Sequence, residues 1–163
     1  MAFAILTVLI GVTARAQSSS TASDELNLFV GYQLPSGTEG ISEILPVFGF
    51  RYEIATAKVG FIDLGLMNTH ASGVDFSTFE FGLRGTIPMS AGLDAVFYGG
   101  GDLNYYKPET QENRKFEFGY HAGVGAMLAV TDNLWLRTDL KFMLTPGTNL
   151  YMLFGFAFRT AGL

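Results

Sequence analysis

From Glu25 onward the chain alternates apolar and polar residues in stretches of about ten positions, which Gly, Pro, Asn, Asp, Ser or Thr interrupt. A period of two is typical of β-strands that have one apolar and one polar face. Eight stretches follow the pattern: Glu25–Leu34, Glu43–Ile54, Val59–Met67, Thr78–Ile87, Asp94–Tyr106, Phe116–Ala129, Leu134–Leu144 and Leu150–Arg159. The alternation predicts an all-β domain of eight antiparallel strands connected up and down.

The two faces of these strands differ in charge and in side-chain size. In the stretch Leu134–Leu144, leucines occupy one face, and Arg137, Asp139 and Lys141 occupy the other. In all eight stretches the charges lie on the second face, which carries glycines in seven of them, and the first face carries no charge. In a soluble barrel the Phe and Leu side chains would turn inward and overfill a narrow lumen. We therefore expect a closed transmembrane β-barrel with the apolar face toward lipid, because only closed sheets or helices satisfy every backbone group there.

The lengths of the connections agree with a membrane barrel whose two chain ends lie in the periplasm. Short inner turns and longer outer loops are typical of such barrels. The predicted inner turns are short: Ala55–Lys58, Pro88–Leu93 and Thr131–Asn133. Three predicted outer loops are longer and polar, and the fourth is short: Pro35–Ser42, Asn68–Ser77, Lys107–Lys115 and Thr145–Asn149.

The first residues have the pattern of a secretory signal. A short apolar run, Ala2–Val12, precedes Ala14-Arg15-Ala16, which has the small-residue spacing of a cleavage site. We expect a signal peptide over residues 1–16, a Ser/Thr-rich linker over 17–24 and the barrel over 25–163. A short membrane anchor is the alternative for the first segment.

Composition narrows the classes of function. The net charge of −5 disfavours a nucleic-acid partner, because phosphate binding requires a basic surface. The absence of Cys excludes disulfide and thiolate chemistry. We predict no cofactor and no metal site; His70, in an outer loop, is interpreted as an exposed histidine.

The mature sequence resembles the small outer-membrane β-barrel superfamily, which includes OmpA-like, OmpX-like and opacity-type proteins. The resemblance is strongest over "FEFGYHAGVGAMLAVTDNLWLRTDLKF", residues 116–142, which is similar to the penultimate hairpin of that superfamily. In the last strand, Gly155, Phe156 and Phe158 resemble the assembly signal of the family, although "RTAGL" follows where the family usually ends on an aromatic residue. The resemblance implies the bacterial outer membrane as location, with roles in envelope integrity or surface contact. It also implies outer-membrane lipid and lipopolysaccharide as surroundings, the barrel-assembly machinery as a partner in biogenesis, and a monomer.

The charges on the inner face predict an ion-pair network in the lumen. Buried charges are costly unless they are paired and hydrogen-bonded. We expect the network to comprise Glu80, Arg84, Asp94, Glu117, Arg137, Asp139 and Lys141. Turn positions predict Asp139 opposite Gly125 and beside Gly155, and Glu80 opposite Gly100.

Asp102 and His121 form a second candidate pair on the inner face. A His–Asp pair can serve as a general base, but no Ser nucleophile lies on a face near His121, so we interpret the pair as structural. We expect a non-enzymatic outer-membrane protein with a plugged polar interior. The alternatives are a small porin-like channel, a lipid A-modifying barrel enzyme, and a soluble periplasmic barrel that binds an apolar ligand.

Overall fold

The computed structural model describes residues 23–38, 41, 43–56, 60–71, 73–107 and 113–160. They form eight strands: β1 (Glu25–Ser36), β2 (Leu45–Thr56), β3 (Gly60–Ala71), β4 (Val74–Ser90), β5 (Leu93–Lys107), β6 (Lys115–Ala129), β7 (Leu134–Leu144) and β8 (Thr148–Arg159). Every strand pairs antiparallel with its neighbours in sequence, and β8 pairs with β1, so the sheet closes into a barrel. The predicted eight-stranded up-and-down barrel is confirmed.

The predicted signal peptide, residues 1–16, and residues 17–22 of the predicted linker lie outside the described residues. Among the described residues, no helix has the length and apolar character needed to cross a bilayer.

The apolar face of the sheet points away from the barrel axis. Val30, Phe48 and Phe116 expose more than half of their surface, at 62%, 57% and 67%. Arg51 and Arg84, in contrast, are only 1% exposed because they point into the lumen. The orientation predicted from the alternation is therefore correct. A surface so rich in exposed Phe, Leu and Val is the one that a transmembrane barrel presents to lipid.

The register between strands was predicted correctly at one hairpin and wrongly at two others. Asp139 lies opposite Gly125, as the tight turn after β6 predicts. Across β7 and β8, however, Arg137 and not Asp139 lies opposite Gly155. This hairpin closes around Pro146, with Leu144 paired to Thr148, one residue earlier than predicted.

The other wrong register concerns β4 and β5. Glu80 lies opposite Asp102, whereas Gly100 lies opposite Gly82. The register shifts between Pro88 and Ser90, where a proline without an amide hydrogen interrupts the regular pairing. The turn lies at Ala91 and Gly92, beyond the predicted position near Ser90, so Glu80 faces a residue two positions later than predicted.

The barrel has two ends that differ in the connections they carry. We call the end where β1 begins and β8 ends the terminal end, and the opposite end the distal end. The ten-residue distal loop predicted over Asn68–Ser77 is wrong, because pairing continues to Ala71 and Val74. Only residues 72 and 73 join β3 to β4, and Gly73 has a φ of 77°, which suits a tight turn.

Asp24 fastens the first strand to its neighbours at the terminal end. Its carboxylate accepts hydrogen bonds from the Ala55 amide (2.9 Å) and the Tyr52 hydroxyl (2.7 Å), while its carbonyl accepts one from the Thr160 amide (2.9 Å). The Ala55 and Tyr52 bonds lower the pKa of Asp24 below its ordinary value, because both favour the ionised carboxylate. The start of β1 is thereby joined to β2 and to the residue after β8.

Candidate functional site

The lumen contains a continuous set of ion pairs that begins at the terminal end and reaches past the middle of the barrel. We call this set the lumenal network. In order of contact its members are Arg159, Glu25, Arg84, Glu53, Arg137, Asp139, Arg51, Glu80, Lys141, Asp102 and His121. Cations and carboxylates alternate throughout. Five Lys or Arg face five carboxylates, so the network is neutral when His121 is neutral.

The terminal half of the network is held by Arg84 and Arg137. The Arg84 guanidinium lies 2.8 Å from Glu25 and 3.1 Å from Glu53. Arg137 donates to the other oxygen of Glu53 at 2.5 Å and lies 3.0 Å from Asp139. Each arginine bridges two carboxylates. Arg84 on β4 joins β1 to β2, and Arg137 on β7 joins β2 to a carboxylate of its own strand, so the pairs link β1, β2, β4 and β7 across the lumen.

The other half of the network is held by Arg51 and Lys141. Arg51 donates twice to one oxygen of Glu80, at 3.1 and 3.2 Å, and once to Asp139 at 3.4 Å. Lys141 donates to the second Glu80 oxygen and to Asp102, the latter at 3.1 Å. Asp102 and Lys141 are fully buried, so these charges depend on one another rather than on water.

Glycines on the inner face provide the space that the network occupies. A Cβ on Gly125 would lie 2.1 Å from an Asp139 carboxylate oxygen, and one on Gly65 would lie 2.9 Å from a Glu80 oxygen. The Tyr98 ring covers Gly123 in the same way. Tyr98 also stacks against the Arg51 guanidinium, whose centre is 4.6 Å from the ring centroid. Small residues thus stand opposite long polar ones, as a narrow eight-stranded lumen requires.

The structure places the predicted network residues in two groups. Glu80, Arg84, Arg137, Asp139 and Lys141 all lie in the lumenal network. They lie on β4 and β7, which are not adjacent in the sheet, and their shared inward direction brings them together across the lumen.

Asp94 and Glu117 do not contact that network. Asp94 is half-buried near the turn before β5, at the terminal end. Glu117 lies near the distal rim and accepts a hydrogen bond from the Tyr106 hydroxyl at 2.8 Å. Both stand close to strand ends: Asp94 is the second residue of β5, and Glu117 the third of β6.

The network has four members that were not predicted to belong to it, although the alternation places them on the charged face: Glu25, Arg51, Glu53 and Arg159. The alternation alone identified their direction. Their partners depend on how the strands tilt around the barrel, which a one-dimensional pattern does not contain.

Asp102 and His121 lie within hydrogen-bond distance, with the His121 Nδ1 atom 2.9 Å from Asp102 Oδ1. They are not directly opposite each other, because His121 pairs with Gly100 and Asp102 with Gly119. The pair is buried, with exposed side-chain fractions of 2% and 0%. A general base must reach a substrate proton, and this pair faces neither solvent nor lipid.

Much of the distal half of the lumen is apolar, which the alternation along the strands did not predict. A cluster of buried residues fills it, and we call this cluster the distal plug: Phe29, Ile41, Leu45, Val47, Met67, Val74, Phe76, Tyr106, Met143, Tyr151 and Leu153. The plug begins where the lumenal network ends. The interior therefore combines the charged network with two apolar clusters, the distal plug and a smaller one of Val96, Tyr98, Met127, Trp135 and Ala157, and it also has buried polar residues such as Gln33 and Asn104 in the distal half.

Hydrogen bonds between the first and fourth distal connections cover the plug. Thr38 Oγ1 donates to the Pro146 carbonyl at 2.8 Å. Asn149 donates to the same carbonyl at 2.7 Å and accepts a bond from Gln33 at 2.9 Å. These bonds hold two connections together over the distal mouth.

Asp63 is the one buried carboxyl group among the described residues whose two oxygens both lack a hydrogen-bond partner. It is 2% exposed and lies directly opposite Glu53 on β2. Like charges in opposite positions of neighbouring strands repel each other, and burial of an unpaired charge is costly. Asp63 is therefore a buried acidic group to which the network gives no hydrogen bond.

Replacing Asp63 with Asn should raise the free energy of unfolding by about 1 kcal/mol, because it removes an unpaired buried charge at nearly constant volume. The matched control is Asp139→Asn, which removes a carboxylate that pairs with Arg51 and Arg137 and should lower the same free energy. Urea unfolding of both variants in detergent micelles measures the difference. A loss of stability in Asp63→Asn as large as that in Asp139→Asn would show that Asp63 is paired.

The predicted assembly signal lies on the last strand, beside the seam with β1. Phe156 and Phe158 point outward, at 47% and 39% exposed, and Gly155 faces β1 at Phe29. The three residues present two aromatic rings to the exterior next to a close approach of two strands.

Comparison of the fold with solved structures identifies several small barrels. Neisserial surface protein A matches with a TM-score of 0.69 and 10% identity over 87% of this chain and 100% of that chain. The N-terminal β-barrel domain of Pseudomonas aeruginosa OprF matches with a TM-score of 0.67 and 12% identity, over 85% and 97%. Ail, the attachment invasion locus protein of Yersinia pestis, matches with a TM-score of 0.57 and 9% identity, over 85% and 97%.

These neighbours are outer-membrane β-barrels, and the chain shares their eight-stranded fold along almost their whole length. No protein-family model and no curated protein sequence matches the chain. At such low identities the likeness concerns the fold, so the role of the protein has to be argued from its own residues.

Proposed function

We propose that this protein is a non-enzymatic barrel of the bacterial outer membrane, with a closed lumen and a structural or surface-contact role in the envelope. The observation that carries the proposal is the distribution of side chains. Large apolar residues cover the outside of the wall, and paired charges and the distal plug fill the inside. This arrangement suits a protein that is stable in lipid and offers no path through itself.

The closed lumen argues against the porin-like alternative. A conducting path would have to open the ion pairs between Arg51 and Glu80 and between Arg137 and Glu53, and then cross the distal plug. Removing one partner of a buried ion pair by mutation typically lowers the free energy of unfolding by about 3–5 kcal/mol. An apolar constriction also disfavours water and ions.

The outer wall argues against the soluble alternative. A periplasmic barrel for an apolar ligand would line its interior with the Phe and Leu side chains that point outward here. With its side chains as they stand, a water-soluble barrel would expose apolar patches to water, because Phe116 and Val30 are more than 60% exposed. The burial of the His121–Asp102 pair likewise supports a role other than catalysis.

Fractionation of cells tests the location, and heat-modifiable migration in a detergent gel tests the folded barrel. We expect the protein in the outer-membrane fraction, with a boiled form that migrates differently from the unboiled form. Recovery in the soluble periplasmic fraction would overturn the proposal.

Planar-bilayer recording tests the closed lumen. Purified protein should give no resolved conductance steps, because the lumenal network and the distal plug leave no continuous aqueous path. A general porin reconstituted in parallel is the positive control for insertion and detection. Reproducible steps from the pure protein would show that the lumen conducts and would favour the channel alternative.

A further inference from the structure

The outer wall of the barrel changes from apolar to polar near the distal ends of β3 and β4. Leu66 and Phe79 point outward below this level, and Asn68 and Ser77 point outward at it. The Ser77 hydroxyl donates to the Asn68 side chain at 2.9 Å. Hydrogen-bonding side chains that face outward mark the place where the hydrocarbon band of a membrane barrel ends.

Above that level the wall has an open cavity of about 350 Å³ that contains charged groups. His70, Asp75, Lys107 and Arg114 line it together with Tyr105. The Arg114 side chain is 50% exposed, lies 3.6 Å from Asp75 and stacks over the Tyr105 ring at 5.1 Å. Arg114 is therefore held at a fixed place on the wall while part of its guanidinium still faces outward.

Two apolar depressions continue from this cavity down the wall. One, of about 390 Å³, shares Phe48 and Asn68 with the charged cavity and is otherwise lined by apolar residues and glycines. The other, of about 360 Å³, shares Phe48 and His70 with it. The surface is thus continuous from cationic groups above to a groove walled by Phe48, Val30 and Phe154 below.

We propose that this surface binds one phosphate-bearing lipid of the outer leaflet, with a headgroup phosphate at Arg114 and Lys107 and an acyl chain in the groove beside Phe48. The inference rests on the proposed membrane location. Charge favours an anionic headgroup: among the described residues that line the cavity, Lys107 and Arg114 exceed Asp75 by one positive charge with His70 neutral. Arginine is well suited to phosphate because its planar donors match the phosphate oxygens.

Asp75 has a positioning role in this site. It contacts the His70 ring and lies 3.6 Å from Arg114, so it keeps two potential donors near the same place. The Arg114 contact is longer than a close ion pair and leaves the guanidinium available for a second acceptor. A phosphate would complete the set of acceptors around Arg114 and Lys107.

Native mass spectrometry of the full-length protein in detergent tests the proposal, with hexa-acylated lipid A carrying two phosphates and the same lipid without phosphates as probes. The assays contain EDTA, so that divalent cations do not bridge phosphate to carboxylates. Because one cation near an anionic surface contributes about a fivefold gain in binding, two cations should favour the phosphorylated probe by about tenfold or more. The double variant Lys107→Gln/Arg114→Gln should lose that preference.

The matched control is Arg159→Gln, which removes a cation at the terminal end of the barrel. It should retain the preference for the phosphorylated probe. Equal binding of both probes by the wild type, or an unchanged preference in the double variant, would overturn the site. Inorganic phosphate at millimolar concentration should not displace the lipid, and full displacement would show that the groove contributes nothing.

The result is separable from the proposed function. Heat-modifiable migration of each variant shows first that the barrel has folded, and fractionation shows where the protein resides. A folded outer-membrane protein without phosphate preference would overturn only this inference. A protein that is soluble and periplasmic would overturn the proposed function itself.

Discussion

Replacing Arg137 with Met should lower the free energy of unfolding by about 3–5 kcal/mol, because it leaves buried carboxylates without their cation. Arg137 bridges Glu53 and Asp139 and also donates to Asn27 at 3.1 Å. It lies in the middle of the terminal half of the network, so its loss divides the alternating series of charges. Urea unfolding in detergent micelles, followed by heat-modifiable migration, measures the change.

A triple variant provides the control for this prediction. Combining Arg137→Met with Glu53→Gln and Asp139→Asn removes the carboxylates that the single change strands, so it should recover part of the lost stability. The Arg159→Gln variant should have a small effect, because Arg159 is partly exposed and its pair with Glu25 is screened. If Arg137→Met unfolds at the wild-type urea concentration, the network does not stabilise the barrel.

Replacing Gly155 with Ala should abolish most of the refolded barrel. A Cβ at this position would lie 2.0 Å from the Leu28 carbonyl oxygen and 2.8 Å from the Phe29 Cα atom, both in the backbone of β1. Overpacking against a backbone cannot be relieved by rotating a side chain, so the cost should exceed about 3 kcal/mol, the upper end for typical overpacked sites. The clash lies at the seam where the last strand meets the first, so it opposes closure of the sheet.

Refolding from urea into detergent measures the Gly155→Ala effect as the fraction of heat-modifiable protein. Because no assembly machinery is present, the assay separates packing from any role of Gly155 as an assembly signal. The control is Gly99→Ala in β5, where the nearest atom to a new Cβ is 3.2 Å away. Equal refolded fractions for the two variants would contradict the steric argument.

The direction of each side chain was predictable because alternation in a strand is a local property. Leu136 and Leu140 face outward and Arg137 and Asp139 face inward, as the period of two requires. The tight turn at Asp132 also fixed one register. Registers failed where the turn was misplaced, at Pro146 and at Ala91–Gly92, since a displacement of one residue in the turn shifts every pair of the hairpin.

Which residue types fill the lumen was harder to predict than which face of each strand points inward. Met143 and Leu153 point inward although they are apolar, and their neighbours in sequence on the outer face are also apolar. In such stretches the contrast between the two faces disappears, and only the parity of the strand identifies the inner residues. The partners of Arg51 and Glu53 also depend on strand tilt, which positions residues from distant strands at the same height.

The length of β4 has a consequence for the shape that the protein presents to its surroundings. Its 17 residues extend about 55 Å along the strand, or about 40 Å along the barrel axis at the usual tilt, against an apolar band of about 25 Å. The β3–β4 hairpin therefore stands clear of the bilayer as rigid, fully paired ribbon. A molecule that docks on this ribbon would meet a preorganised surface and lose little conformational entropy on binding, unlike one that must order a long loop.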